Sequence, residues 1–317
     1  MTQSIYRHQL PLKSGHPFIT DAGLETELVF RENYELPEFA SFPLLKNEKG
    51  LKDIRSYYSH YVEIAKKQNT GLLLEAPTWR ASTDWGNKLN YNEDELASFN
   101  QQAIELLNNI RIESQLESPC VISGCIGPRN DGYDPEYYMT SNEAENYHSV
   151  QIKTFSNTAA DLVTALTITS INEALGITRA AKKLDMPIVI SFTTETDGKL
   201  PSGETLQNAI ETIDKQTYAY PFYYMINCAH PTHFQSVLNN ESMWLKRIGG
   251  IRANASCKSH AELDECTELD NGNPKELGQQ YKQLKNHLPN MHVIGGCCGT
   301  NHQHVTEMAS ACFGGYG

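Results

Sequence analysis

The 317-residue chain is predicted to fold as an α/β protein of the (β/α)8, or TIM, barrel type. Three observations carry that expectation. Apolar, β-prone segments alternate with helix-periodic ones along the whole length, eight times over. The segment 187–192 is apolar almost without a break, as strands are when helices cover the sheet. No G-x-G-x-x-G follows the first strand, which counts against a doubly wound sheet. No Gly/Ser/Pro-rich linker or short-period repeat divides the chain, so one domain over residues 1–317 is expected.

The first strand is placed at 17–20, with the turn signal Asp21-Ala22-Gly23 behind it. Ile54, Tyr57, Tyr58, Tyr61, Val62 and Ala65 recur at helical spacing and make one buried face of a helix over 52–69. Residues 71–75 read as the second strand. Asn92 with Glu95 forms a capping-box pattern opening a helix that turns Leu96, Phe99, Ala103, Leu107 and Ile110 inward. The third strand runs over 120–124 and stops at Gly127-Pro128. Then follow a helix at 141–158, a strand at 162–168, a helix at 171–184 and a strand at 187–192. A helix at 205–217 leads to the sixth strand, 223–227, and a short helix at 231–238. Strand seven is placed at 248–252. Leu277, Tyr281, Leu284 and Leu288 mark a helix before strand eight at 291–294, and 305–312 closes the chain as a helix. Long irregular stretches remain at 32–50, 77–91 and 254–274, and loops of that length usually cover or carry a site.

Composition narrows the function classes. Against 26 Lys and Arg stand 38 Asp and Glu, a formal charge of −12, and no dense basic tract marks a nucleic-acid footprint. No run approaches the roughly 18 apolar residues of a membrane span. An apolar signal region is not found in 1–13. Eight cysteines are too sparse for a disulfide scaffold and suit a reducing compartment, so a cytoplasmic protein acting on small molecules is expected. The oligomeric state is not legible.

Chemistry concentrates in Ile294-Gly295-Gly296-Cys297-Cys298-Gly299-Thr300. Consecutive side chains on a strand face opposite ways, so both thiols serve one centre only where the backbone bends, and the glycines are expected to permit it. Cys228 follows the sixth strand in a similar setting. Three thiolates at two strand ends make a zinc proposition, with the fourth position left open for an exchangeable ligand. Cys120, Cys266, Cys312 and Cys257 read instead as small buried hydrophobes. In the barrel Asp21, Glu75, Cys125, Thr167, Glu195, Cys228, Asn254, Cys297 and Cys298 all fall at C-terminal strand ends, the face that carries catalysis. His230 and His233 flank Pro231 and are expected at the surface. No H-E-x-x-H supports a zinc hydrolase.

These motifs resemble the homocysteine S-methyltransferase family. The Gly-Gly-Cys-Cys-Gly-Thr run with Ile226-Asn227-Cys228 before it is similar to the family's zinc motif. Asp21-Ala22-Gly23-Leu24-Glu25-Thr26-Glu27-Leu28 is similar to its opening, Gly124-Cys125-Ile126-Gly127-Pro128 to its Gly-Pro turn, and Ser191-Phe192-Thr193 with 200–206 to its Ser-Phe segment. Asn254 fits the family's Asn after strand seven. The likeness runs in order from about 17 to 312. It implies a barrel whose Zn2+, held by Cys228, Cys297 and Cys298, binds the thiolate of homocysteine. That thiolate then takes a methyl group from a sulfonium or quaternary ammonium donor, S-methylmethionine first among them, to give methionine. Asp21, Glu25, Glu75, Thr167 and Asn254 are the implied substrate-binding residues.

The chain departs from the family at four points, one of them Glu75, which stands where relatives commonly carry a Thr or Ala. Ala22 stands for Gly, and Glu25 for a small residue, where it reads equally as an exposed residue of a helix's first turn. Leu166 stands where the family carries a Glu thought to hold the homocysteine amino group, and leucine cannot pair with an ammonium. Asp21, Glu75 or Glu195 is expected to compensate, or the acceptor is a different thiol. Arg252 adds a charge at the end of strand seven, facing the site or solvent. Trp79, Trp85, Tyr91, Tyr133, Tyr137 and Tyr138 are candidates for a cation–π wall around the donor, though packing is the commoner role. A barrel that keeps zinc and has lost catalysis is the reading from another class.

Overall fold

A computed structural model describes residues 3–13, 16–133, 137–238 and 242–314. Eight parallel strands close into a barrel in sequence order: β1 (Phe18–Thr20), β2 (Gly71–Glu75), β3 (Cys120–Ile126), β4 (Leu162–Ile168), β5 (Ile188–Phe192), β6 (Tyr224–Asn227), β7 (Ile248–Ala253) and β8 (Val293–Gly296). Ile19 pairs with both Leu72 and Ile294, which shuts the ring. Around it lie α1 (Leu24–Phe30), α2 (Glu48–Gln68), α3 (Thr83–Lys88), α4 (Glu93–Ser114), α5 (Ser141–Ser156), α6 (Ile171–Lys183), α7 (Leu206–Thr217), α8 (Pro231–Phe234), α9 (His260–Asp264), α10 (Pro274–Lys285) and α11 (His302–Phe313). Among the described residues no helix is long and apolar enough to cross a membrane.

Local chemistry accounts for the element ends. The Asn92–Glu95 capping box is formed, each side chain accepting the other residue's N–H at 3.0 Å. Asn47 caps the start of α2, and Asn69 closes it in the left-handed conformation that Asn tolerates. The three stretches expected to be irregular hold α3, α9 and short 3-10 turns, too brief to show a periodicity. Strand eight lies two residues later than its apolar run suggests. Gly295 and Gly296 belong to it because they pair with Arg252 and Ala253.

Strand alternation stacks the barrel interior in layers. The bottom layer is apolar: Phe18, Leu73, Val121, Leu162, Val189, Met225 and Val293, capped by Leu10 and Leu12 of the N-terminal arm. Two residues further along the strands the inward positions turn polar, with Thr20, Glu75, Ser123, Thr164, Ser191, Asn227 and Arg252, all buried. Barrel interiors are usually filled by branched apolar residues, so this layer stands out as the floor of a site.

Asp161, at the foot of β4, ties the arm to the barrel. One carboxylate oxygen accepts the Ile5 and Tyr6 N–H groups at 2.8 Å each, and the other accepts Ile122 N–H and pairs with Arg111 at 2.9 Å. Asp161→Ala strands the buried Arg111 guanidinium and three N–H groups. Urea unfolding is expected to show a loss of about 3–5 kcal/mol, the usual cost of breaking a buried pair.

Candidate metal and acceptor site

The end of β6 and the turn after β8 bring three thiols together. Cys228 Sγ lies 3.1 Å from Cys297 Sγ and 3.6 Å from Cys298 Sγ, and all three fall within 4.8 Å of one another. A tetrahedral zinc with sulfur bonds near 2.3 Å spaces its sulfurs about 3.8 Å apart, so the triad fits that ion with small outward adjustment. Among the described residues no other group of three His, Cys, Asp or Glu side chains has metal-holding spacing.

The backbone at this corner is held in unusual states. Cys228 has φ +57° and Thr167, at the end of β4, has φ +62°. A left-handed β-branched residue costs of order 1–3 kcal/mol, and such strain gathers where the surroundings over-determine a site. Asn227 supplies that determination. Its Oδ1 accepts from Thr167 N–H at 2.8 Å and the Ser191 hydroxyl at 2.6 Å, while its Nδ2 donates to Thr167 Oγ1 at 2.8 Å. The bend between the vicinal cysteines comes from a turn in which Thr300 N–H returns to the Cys297 carbonyl at 3.1 Å. Gly299 carries the positive φ, +78°. Gly295 serves instead for closeness to β1, since a Cβ there would stand 2.4 Å from Thr20 Cγ2.

Three thiols in contact cannot all ionise without a cation. Hydrogen bonds from Cys228 and Cys298 pull the Cys297 thiol well down, helped by Arg252. Cys228 is pushed well up by its bonds to Cys297 and Cys298 and by burial. For Cys298 the Cys228 bond pulls down, but Cys297 and burial outweigh it and the net shift is upward. The Tyr133 hydroxyl sits over the sulfurs, 3.1 Å from Cys228 and 3.5 Å from Cys298. Burial and the neighbouring thiols raise its pKa, so it stays a neutral donor. Its ring stacks on His260 at 4.2 Å, and His260 Nε2 lies 2.8 Å from the Cys228 carbonyl oxygen.

Arg252 points into the barrel, not to solvent. Nε donates to the Gly296 carbonyl at 3.0 Å, Nη1 to Thr20 Oγ1 at 3.2 Å, and Nη2 to the Ala22 carbonyl at 3.1 Å and to Asp21 at 3.0 Å. Asp21 is thereby committed, and Thr20 and Tyr57 hydroxyls donate to its two oxygens at 2.9 and 3.0 Å. Burial raises the Asp21 pKa and the guanidinium works against that rise.

A pocket of about 80 Å³ lies beside the thiols, lined among others by Asp21, Glu25, Glu75, Cys125, Leu166 and Thr167. Glu75 is buried, and neither carboxylate oxygen finds a hydrogen-bond partner within ordinary distance. Burial pushes its pKa up to about 7, with Arg252 and the Ser123 and Thr164 hydroxyls pulling the other way. Glu25 is half-buried, bonded by the Ser41 hydroxyl at 2.7 Å, so it is not an exposed first-turn residue. Glu195 lies outside the pocket lining, 3.3 Å from His260. Asn254 is outside that lining too; its Nδ2 is 3.5 Å from the Tyr133 hydroxyl.

Above the thiols opens a cleft of about 700 Å³. Trp79, Trp85, Tyr133 and Tyr137 line it, while Tyr91 and Tyr138 do not. Tyr91 packs edge-on against Phe42 and Phe99 instead. The tryptophans already hold a cation: the Arg80 guanidinium lies 3.5 Å over Trp85 and 4.6 Å over Trp79.

Other expectations change. His230 and His233 are buried, because His230 caps α8 and His233 meets the Cys257 carbonyl at 2.9 Å. Cys257 is exposed. Cys266 is half-buried at the cleft, where Lys258 Nζ donates to it at 3.1 Å. Sequence reasoning passed over Tyr133 as a neighbour of the sulfurs, and His260 altogether, since no local pattern marks either.

The family model for homocysteine S-methyltransferase matches residues 18–312. The chain belongs to the homocysteine S-methyltransferase family. Crystal structures of the homocysteine methyltransferase MmuM from Escherichia coli share its fold. The oxidised form aligns with TM-score 0.74 and 15% identity over 95% of this chain and 97% of that one. The metallated form aligns with TM-score 0.73 and 14% identity over 95% and 99%. Membership in this family makes the protein a methyltransferase.

Glu75 makes a pH test available. Its folded pKa is raised, so the stability it contributes is present below the unfolded value near 4.5 and is lost as pH rises through about 7. In metal-free protein Glu75→Gln is expected to match wild type near pH 4. It should become more stable by about 3 kcal/mol near neutrality, read from urea curves across that range.

Proposed function

We propose that the enzyme is a zinc-dependent S-methyltransferase that carries a methyl group from a sulfonium or quaternary ammonium donor to homocysteine, giving methionine. The observation that carries this reading is the convergence of Cys228, Cys297 and Cys298 at the floor of an open cleft. These three residues would hold the ion. Zinc, when bound, lowers the acceptor thiol's pKa and presents the sulfur as a thiolate at neutral pH.

The chain's own residues do the rest. Asn227 and Arg252 hold the two strand ends that carry the cysteines, so the sulfurs keep their spacing without further ordering. Tyr133 stands over the sulfurs from the cleft side and must yield the position that an acceptor sulfur takes. The cleft walls offer Glu38, Asp84, Asp131, Asp264, Glu268 and Asp270 against Arg80, Lys88 and Arg129, a surplus of negative charge that favours a cationic donor. With Trp79 and Trp85 turned to Arg80, the field of these carboxylates supports the donor more than an aromatic cage does. In the transfer a carbon–sulfur or carbon–nitrogen bond of the donor breaks, and its electron pair leaves with the donor heteroatom. The new carbon–sulfur bond forms to the acceptor, whose proton has already gone to solvent. S-methylmethionine is the donor of first choice. A cytoplasmic site suits the mechanism, because thiols this close need a reducing compartment to stay open to metal.

Leu166 on the pocket wall favours a second reading of the acceptor, a thiol other than homocysteine, with the same transfer chemistry. The two are separated by one assay series. Wild type is expected to bind one zinc per chain and to form methionine from homocysteine and at least one of S-methylmethionine or betaine. Cys298→Ser is expected to lose both metal and turnover. Stoichiometric zinc with no methionine from any donor would sink the homocysteine reading, and absence of zinc would remove the mechanism.

A further inference from the structure

We propose that Glu75 is the acceptor-specificity residue of this enzyme, its carboxylate receiving the ammonium group of an aminothiol whose sulfur sits at the three cysteines. The inference rests on the reading of that site as a thiol methyltransferase, and it names the chemistry that recognises the acceptor's other end.

The pocket beside the thiols is lined by three carboxylates, Asp21, Glu25 and Glu75, and by one guanidinium, Arg252. Arg252 and Asp21 satisfy each other, and each nitrogen of the guanidinium already has an acceptor. Glu25 is bonded by Ser41. Leu166 contributes only hydrocarbon. Of the three, Glu75 presents a buried carboxylate with neither oxygen hydrogen-bonded within ordinary distance, the Ser123 and Thr164 hydroxyls and Arg252 lying further off. Leaving such a group unsatisfied costs free energy, and an apolar residue would fill a barrel interior at no such cost. A stability cost of this kind is what functional groups show before their ligand arrives. The ligand that would relieve it is a cation with several N–H donors.

Position agrees with charge. The register pairs Thr20 with Leu73, so Glu75 falls level with Ala22, and Gly296 N–H bonds the Asp21 carbonyl at 3.0 Å. Glu75 and Cys297 therefore stand at similar height with β1 between them. Two strand spacings separate their backbones, about 9–10 Å. A short aminothiol lying between the two side chains spans that gap, sulfur to the cysteines and nitrogen to Glu75. Homocysteine is such a molecule.

The test uses the zinc-loaded full chain and calorimetric binding of two thiols without donor: homocysteine, and 4-mercaptobutanoate, which lacks only the amine. Wild type is expected to bind homocysteine on the order of tenfold or more tightly over the deaminated thiol, the scale of a charge-assisted hydrogen bond. Glu75→Gln should erase that preference by weakening homocysteine alone, with zinc per chain and 4-mercaptobutanoate affinity unchanged. Glu75→Asp, which keeps the charge, should retain part of the preference and covers the case in which the Gln variant fails to fold. A Glu75→Gln protein that keeps the wild-type preference overturns the inference, as does a wild type that binds both thiols equally. Failure of either thiol to bind zinc-loaded wild type overturns the methyltransferase reading as well. Thiol binding that depends on Glu75, with no donor turned over, leaves the inference standing and removes only the proposed donors.

Discussion

The site depends on one buried ion pair. Arg252 reaches from β7 into the barrel and bonds backbone carbonyls of β8 and of the segment after β1, while Asp21 neutralises it. Burial works against the guanidinium's charge, but Asp21, Glu75 and Cys297 outweigh it and it stays charged. A charge so placed is tolerated only when its donors are satisfied, and here they are satisfied by the strand ends that carry the cysteine turn. Loss of the pair would free those ends as well as strand a charge. The pair therefore holds both the barrel's upper rim and the spacing of the sulfurs.

The polar second layer follows from the same constraint. A guanidinium in the barrel excludes bulky apolar neighbours, and Thr20, Ser123, Thr164, Ser191 and Asn227 take their place. Of this layer Glu75, Asn227 and Arg252 line the pocket beside the thiols. Asn227 then joins three strands by bonding Thr167 and Ser191, which keeps two left-handed residues, Thr167 and Cys228, in place at the rim. Strain, polarity and open volume are concentrated at one end of the barrel, while the other end is an ordinary apolar plug.

Much of the fold was legible because its signals are local. The alternation of apolar strands and amphipathic helices, the Asn92 cap and the glycine-flanked cysteines are patterns of neighbouring residues, and each is found in the structure where it was expected, within a few residues. The misplaced residues share a different cause. His230 and His233 look like loop histidines, yet packing on the β6 and β7 loops buries them. Cys266 looks like a small hydrophobe, yet it lies at the cleft beside Lys258. Trp79 and Trp85 look like a cage for a ligand cation, yet Arg80, one residue after Trp79, folds back over both rings. In each case the deciding neighbour is chosen by tertiary contact and leaves no spacing in the sequence.

The sequence by itself determined the barrel, the three cysteines and the family, since periodicity and an uncommon vicinal motif survive without knowledge of contacts. Only the tertiary structure decided among the carboxylates. Asp21, Glu25, Glu75 and Glu195 are alike as letters near strand ends. Their surroundings separate them: Asp21 answers Arg252, Glu25 accepts from Ser41, Glu195 lies by His260, and Glu75 is buried with no hydrogen bond to either oxygen within ordinary distance. The physical reason is that a carboxylate's role is set by which donors reach it, and those donors come from strands and loops far apart in the chain.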